Sequence, residues 1–561
     1  VRTFAHILDS SRQAMRMLFH TEGVAVHQMD DPPRDGVAVH QALEGLARAG
    51  AEARGAVFTR PAVVRQMLDW LGYTPEHDLS RFRLLEPCFG EGEFVLEALE
   101  RLLASHFAHG GNPANADRLE PCLRGVELHG ESYEKVIHKV INRLVKLGIT
   151  RRLAAHLAHT WLIQGDFLLA DLSGLGSPGG FTHVVGNPPY LRPERIPAAL
   201  LAEYRRRYPT FSHRADLYVP FFERGLRLLE PQGKLAYLCS DRWMKNRYGQ
   251  ALRRFIAQGY RLERHADLKD QQPFQDAVMA YPAITLIVKG RDEPQPPTEV
   301  IGREGRRVWV GAEATPPDGP WLLELGEEFE RLREWERRFP PLEQAGCRVG
   351  IGVASGADDV LVQPADLDIE EDRKLPLLLP CDVRSGKIGW SGRVLVNPWN
   401  DEGRLVALER YPRLRAYLEA HRSSLARRYV ARRHPEQWFR TIDRVDPALR
   451  HTPKLLIPDL AGRPIVVLDE GQYYPHHNLY WVTSKEWPLE ALQAILRSPV
   501  ALLFVRAYSV EMRGGYHRYQ AQTLRRIRLP RWSELPQSLR RALTGGAEQL
   551  QQQAINELYG L

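Results

Sequence analysis

Between residues 55 and 290, short apolar runs of strand length alternate with amphipathic stretches of helical period. A strand covered on both faces reads as a near-continuous apolar run, and the amphipathic stretches supply the covering helices. The strand candidates are 83–85, 123–126, 161–163, 183–185, 235–238 and 283–288. This order predicts an α/β fold with a mainly parallel sheet and helices on both faces. The pattern breaks at Arg291-Asp292-Glu293-Pro294-Gln295-Pro296-Pro297, and residues 291–341, with a charged helix over 325–338, read as a linker. From 342 to 561 the strands are irregular, prolines are frequent and arginines cluster, which predicts a second, mixed α+β domain. Residues 1–50 read as a helical appendage, periodic over 8–22, leaving 51–290 as the first domain. A chain of 561 residues, 43% hydrophobic and 26% charged, can bury both cores.

A net charge of +7 suits a polyanionic partner, although many enzymes of neutral substrates are as basic. Cys88, Cys122, Cys239, Cys347 and Cys381 lie far apart with no Cys-x-x-Cys pair, so free thiols and a reducing cytoplasm are expected and a zinc cluster is not. No apolar run has bilayer-spanning length and no signal-peptide layout opens the chain, so no membrane association is expected.

Chemistry concentrates at the ends of the first domain's strand candidates, where a parallel sheet binds ligands. The run Leu84-Leu85-Glu86-Pro87-Cys88-Phe89-Gly90-Glu91-Gly92 reads as a strand, an acidic step and a glycine loop opening a helix. Gly90 and Gly92 permit tight curvature and close approach of a ligand. Glu127 follows the second strand, where a carboxylate can accept both ribose hydroxyl hydrogens or cap the next helix. Asp166 ends the third strand and can accept from an exocyclic amine or serve as a cap, while Phe167 can lie on a purine face. Behind the fourth strand stands Asn187-Pro188-Pro189-Tyr190, which alone is only a turn with an aromatic.

Taken in order, Gly55-Ala56-Val57-Phe58-Thr59-Arg60-Pro61, the Glu86-Pro87 glycine loop, Glu127, Asp166-Phe167 and Asn187-Pro188-Pro189-Tyr190 resemble the gamma class of amino DNA methyltransferases. That family couples a Rossmann-like S-adenosyl-methionine-dependent domain to a C-terminal target-recognition domain, as in the methylase part of Type IIG restriction enzymes. The resemblance implies Thr59 on the methionine carboxylate and Glu86 and Gly90 at the methionine end, with Pro87 and Gly92 in the same loop. It implies Glu127, beside Leu128, on the ribose, Asp166 and Phe167 on the adenine, and Asn187 at the border of cofactor and target. Arg60 departs from the family, where a proline commonly follows the threonine.

An aromatic amine is a poor nucleophile because its lone pair is delocalised. If the Asn187 side-chain oxygen and the Pro188 carbonyl each accept one amino hydrogen, the lone pair is freed toward the sulfonium methyl. Tyr190 would stack the extruded base, with Phe274 or Tyr281 as a second aromatic face, and either of these is equally readable as a core residue. Asn rather than Ser at the head of the tetrapeptide favours adenine over cytosine. A carbon-5 cytosine enzyme would need a Pro-Cys nucleophile, but Pro87-Cys88 lies in the cofactor loop. The expected activity is therefore site-specific N6-adenine methylation of duplex DNA by base flipping (EC 2.1.1.72), as the modification arm of a restriction or phage-defence system with a separate endonuclease. The rivals are methylation of a protein glutamine amide or of ribosomal RNA, and an inert DNA-binding specificity subunit.

In the second half, Gly350-Ile351-Gly352-Val353-Ala354-Ser355-Gly356 is similar to the opening of target-recognition domains. Arg427, Arg428, Arg432 and Arg433 gather near Tyr429, Trp438 and Phe439, and Arg513 and Arg518 follow. Such clusters suit a phosphate backbone, although any one arginine is more often a solvated surface residue. Pro458-Asp459 with Glu470 imitates a metal-nuclease motif, but Gln472 stands where lysine is usual. His476-His477-Asn478 reads as part of a strand approach, and no metal is expected.

Overall fold

The structure, a computed structural model, describes residues 36–172, 180–269, 271–275, 282–290, 294–302, 305–325, 328–509, 512 and 515–561. The chain divides into two compact units, the first ending at Gly326 and the second beginning at Glu327.

The first unit is built on a nine-stranded sheet. Its strands are β1 (Leu84–Glu86), β2 (Leu123–Glu127), β3 (Leu162–Gln164), β4 (Phe181–Gly186), β5 (Leu229–Ser240), β6 (Tyr260–Asp267), β7 (Pro282–Lys289), β8 (Thr298–Ile301) and β9 (Arg307–Val310). They lie in the order β3-β2-β1-β4-β5-β7-β6-β8-β9. The run from β3 to β5 is parallel, β7 is antiparallel to both of its neighbours, and β9 is antiparallel to β8. Strand β6 is parallel to β8, so the sheet is mainly parallel, as expected, with its antiparallel pairs confined to the second half.

Strand β6 leaves no apolar run in the sequence, because Arg261, Glu263, Arg264 and His265 interrupt it. Its charges are satisfied sideways, with Arg264 on Glu299 at 2.5 Å and over the Trp70 ring at 4.9 Å. The expected linker, 291–341, is shared out instead: β8 and β9 extend the first sheet, and the charged helix Glu328–Arg338 falls in the second unit. Of the expected appendage, 36–50 lies in the first unit as helix α1 (Gly36–Ala47) and a short connection, and the expected helix over 8–22 lies outside the described residues.

Helices α2 (Pro61–Leu71), α3 (Glu93–Ala108), α4 (Gly130–Lys146) and α5 (Arg151–Trp161) place their apolar stripes in one core with the sheet. In α3 that stripe is Phe94, Val95, Ala98, Leu99 and Leu102, the i, i+4 spacing of a buried helix face. Reversal of strand order at β1/β4 puts a crevice beyond the carboxyl ends of these two strands. Register aligns those ends, with Glu86 opposite Gly125 and Glu127 opposite Gln164.

The second unit is mixed α+β. One four-stranded antiparallel sheet has the order β10 (Cys347–Ile351), β18 (Leu479–Ser484), β14 (Lys454–Pro458), β16 (Val467–Asp469). A second has the order β11 (Val362–Pro364), β13 (Arg393–Val396), β12 (Lys374–Leu378), β17 (Tyr474–Pro475), and the ribbon β15 (Leu460–Ala461) pairs with β19 (His517–Arg518). The glycines of 350–356 let strands close up, since a Cβ on Gly350 would collide with the Trp481 ring and one on Gly352 with the Pro475 carbonyl. Among the described residues no single helix is long and apolar enough to cross a membrane.

Candidate active site

A cavity opens at the carboxyl ends of β1 to β4, lined by Thr59, Glu86, Pro87, Gly90, Glu127, Leu128, Asp166, Phe167 and Asn187. These residues come from five separate stretches of sequence. Glu86, the last residue of β1, is 1% exposed, and its Oε2 is buried with no hydrogen-bond partner. Burial and then the nearby Glu93 push its carboxyl well above the ordinary range. The chain turns at Gly90 (φ +52°) and Gly92 (φ +95°), a left-handed backbone that suits glycine. Gly92 does not line the cavity. A Cβ there would meet Val136 at 3.0 Å, so its role is to let α4 approach the start of α3.

Glu127 binds this loop from the side. Its Oε2 accepts from the Gly90 N–H at 2.8 Å and its Oε1 from the His129 N–H at 2.7 Å. The cap of α4 is His129, whose ring accepts from the Ser132 N–H, so the helix-cap reading of Glu127 does not hold. Asp166 accepts from the Leu168 N–H at 2.8 Å and from the Tyr204 hydroxyl at 2.5 Å, and burial raises its pKa. Phe167 is buried, 5.1 Å from the Phe221 ring and 5.1 Å from the Arg224 guanidinium.

The amide of Asn187 donates from Nδ2 to the Val57 carbonyl at 2.8 Å and to the Thr59 hydroxyl at 3.1 Å. A carbonyl can only accept, so this bond fixes which way the amide lies. Oδ1 is left buried without a partner beside the cavity. The Asn187 main-chain carbonyl accepts from the Cys88 thiol at 3.3 Å, and the Tyr190 N–H donates to Gly55 at 2.9 Å, which anchors the tetrapeptide at both ends. Pro188 is buried and outside the lining. Tyr190 lies edge-on to Phe274 at 5.9 Å and 6.4 Å from Tyr218. Phe274 is a core residue, 3% exposed, while Tyr281 lies outside the described residues. Arg60 fastens the Phe274 segment, donating to the Phe274 carbonyl at 2.8 Å and to the Gln272 Oε1 at 3.0 Å.

Several lining residues carry no sequence signal. Arg54 approaches Glu127 at 3.6 Å, and Leu46, Tyr204, Leu217 and Phe221 close the walls. They come from segments before and after the motifs, so no spacing rule could find them.

In the second unit Arg427, Arg432 and Arg433 are exposed. Arg428, expected on DNA, is instead an internal brace. Its guanidinium donates to the carbonyls of Leu425, Ser355 and Trp438 at 2.9, 3.0 and 2.8 Å. Trp438 and Phe439 are core residues at 7% exposure each, which leaves Tyr429 as the surface aromatic, under Arg433. Arg518 donates through two nitrogens to Asp459, and Arg513 lies outside the described residues.

Residues 124–274 match the Eco57I restriction-modification methylase family, and residues 413–529 match the TaqI-like C-terminal specificity domain. The chain is 47% identical over 554 residues to the Type II methyltransferase M.PaeR7I of Pseudomonas aeruginosa, covering 93% of this chain and 95% of that one. It is 44% identical over 538 residues to M.XhoI of Xanthomonas vasicola, covering 91% and 98%. In fold it is similar to the Type IIL restriction-modification enzyme MmeI, solved in complex with DNA, with a TM-score of 0.58 at 12% identity over 93% of this chain and 73% of that one.

Proposed function

The chain belongs to the Type II methyltransferases of restriction–modification systems, and from that premise we propose that it methylates the N6 amino group of adenine in duplex DNA. Family membership carries DNA methylation itself and removes the rival readings as a glutamine-amide or ribosomal RNA methyltransferase. The adenine target, the cofactor, base flipping and a separate endonuclease partner are our reading. Five free cysteines support a reducing cytoplasm as its place of action.

The observation that carries the reading is the orphaned Asn187 Oδ1. A buried acceptor without a donor costs free energy unless a ligand supplies one, and an exocyclic amine is such a donor. With the amide held by Val57 and Thr59, Oδ1 can accept one amino hydrogen and stabilise the positive charge that grows on nitrogen as it is methylated. No group needs to be reoriented during the reaction, because the acceptor already stands in place. The same arrangement supports an active enzyme over an inert DNA-binding subunit.

The cavity also fits S-adenosyl-methionine. Glu86, Glu93 and Glu127 line it with Arg54 as their cationic counterpart, a balance that favours a ligand bearing ammonium and sulfonium charge. Glu86 Oε2 has a free lone pair for an ammonium donor, and the Phe167–Phe221 wall offers an apolar surface for a purine. When bound, the cofactor supplies an activated methyl group. The test is to incubate the full chain with duplex DNA and labelled S-adenosyl-methionine, digest the DNA and identify the modified nucleoside. N6-methyladenine supports the reading, whereas N4-methylcytosine or unlabelled DNA refutes it.

A further inference from the structure

The second unit contains a cluster that methyl transfer does not use. Asp358 follows the glycine-rich segment 350–356, while His476 and His477 sit in the turn between β17 and β18. The two segments are held together by backbone bonds, with the His477 N–H on the Val353 carbonyl at 3.0 Å and a bridge between Val353 and His476. The Ser355 hydroxyl donates to Asp358 Oδ1, which leaves Oδ2 3.0 Å from His476 Nε2. The Asn478 N–H donates to His476 Nδ1 at 3.4 Å, so the ring proton sits on Nε2. His476 is 4% exposed, and His477 Nδ1 is buried with no hydrogen-bond partner. One ligand atom from each of the three residues lies within 4.8 Å of the other two.

A hydrogen bond between Asp358 and His476 explains two of these residues but leaves the orphaned His477 nitrogen unexplained. Two imidazoles and a carboxylate converging on one point form a set that holds divalent transition ions, with water completing the shell. We propose that Asp358, His476 and His477 bind one such ion, of the zinc, cobalt or nickel type. The ion takes a lone pair from each residue, the His476 ring proton moves from Nε2 to Nδ1 in exchange for the Asn478 N–H hydrogen bond so that the imidazole stays neutral, and no electron is transferred. Ion binding cross-links the 353–358 segment to the 476–478 turn. The same turn supplies the Asn478 carbonyl that accepts from the Asp459 N–H at 3.0 Å, and Asp459 in turn holds Arg518. The ion site is independent of the methyl-transfer reading.

The experiment strips the full-length protein with a chelator and titrates it with zinc chloride by calorimetry, then loads cobalt(II) and records its visible absorption. Asp358→Asn keeps an acceptor toward His476, and His477→Ala removes the orphaned ring. His156→Ala, an exposed histidine beside Glu120, is the control for surface binding. The expected result is one equivalent of zinc in wild type and in His156→Ala, affinity lowered at least about tenfold in Asp358→Asn and His477→Ala, and loss of the cobalt bands in both. Should His477→Ala fail to fold, Asp358→Asn decides alone. No stoichiometric ion in wild type, equal affinity in Asp358→Asn, or an equal loss in His156→Ala overturns the proposal.

Discussion

At Asn187 the chemistry depends on which of two similar amide atoms meets the cavity, and the answer comes from neighbours 128 and 130 positions away. Val57 and Thr59 hold Nδ2, so the buried Oδ1 is the edge left for the target. Asn187→Ala is therefore expected to slow methyl transfer at least about a hundredfold, the cost of deleting one transition-state hydrogen-bonding group, while cofactor affinity changes little. Single-turnover transfer and cofactor calorimetry on the same variant check both halves, and near-normal turnover refutes the assignment. Glu86 adds a pH dependence whose sign follows from its raised pKa. The folded protein holds the proton longer than the unfolded chain, so stability falls as pH rises from the ordinary carboxyl value through the raised one. Glu86→Gln should flatten that fall and stabilise the ligand-free protein at neutral pH, while weakening cofactor binding. Thermal unfolding across pH, with and without cofactor, measures the two effects.

Among the elements, the loop from β1 into α3 and the end of β2 form one assembly, because Glu127 accepts from Gly90. Removing that carboxylate should weaken cofactor binding by roughly 1.5–3 kcal/mol through lost charged hydrogen bonds. Unchanged affinity in Glu127→Ala would reduce the residue to a loop tie. Gly92→Ala should instead cost stability, about 1–3 kcal/mol, since its φ of +95° disfavours a side chain and Val136 stands 3.0 Å from the new Cβ. Denaturant unfolding reads this, and a neutral result would mean that α4 yields. The glycine loop, the acidic strand ends and the parallel strands were legible because each leaves a local mark. Strand β6 was not, because its charged residues find partners on β8, on β5 and on α2, which only the fold brings near.

For the whole molecule the test is whether the two units divide the labour. Neutralising Arg427, Arg432 and Arg433 together should weaken duplex binding and leave cofactor affinity unchanged. The salt slope should fall by about one unit for each phosphate that is no longer neutralised. Identical slopes would make these arginines a solvated face. Arg428→Ala should act differently and destabilise the second unit by about 1–3 kcal/mol, because three carbonyls lose their donor. Equilibrium unfolding separates the two classes of arginine, which look alike in the chain. The sequence by itself determined the α/β class, the order of the motifs and the motif residues at the strand ends that line one part of the cavity, since strand ends and glycine turns are local consequences of residue type. Only the tertiary structure decided that Arg428 is a brace, that Gly92 serves packing, that Arg54 reaches Glu127, and that the Asn187 oxygen is left without a partner. Each of these depends on a neighbour far away in sequence, and no local pattern of residues encodes which distant donor or acceptor the fold will bring into reach.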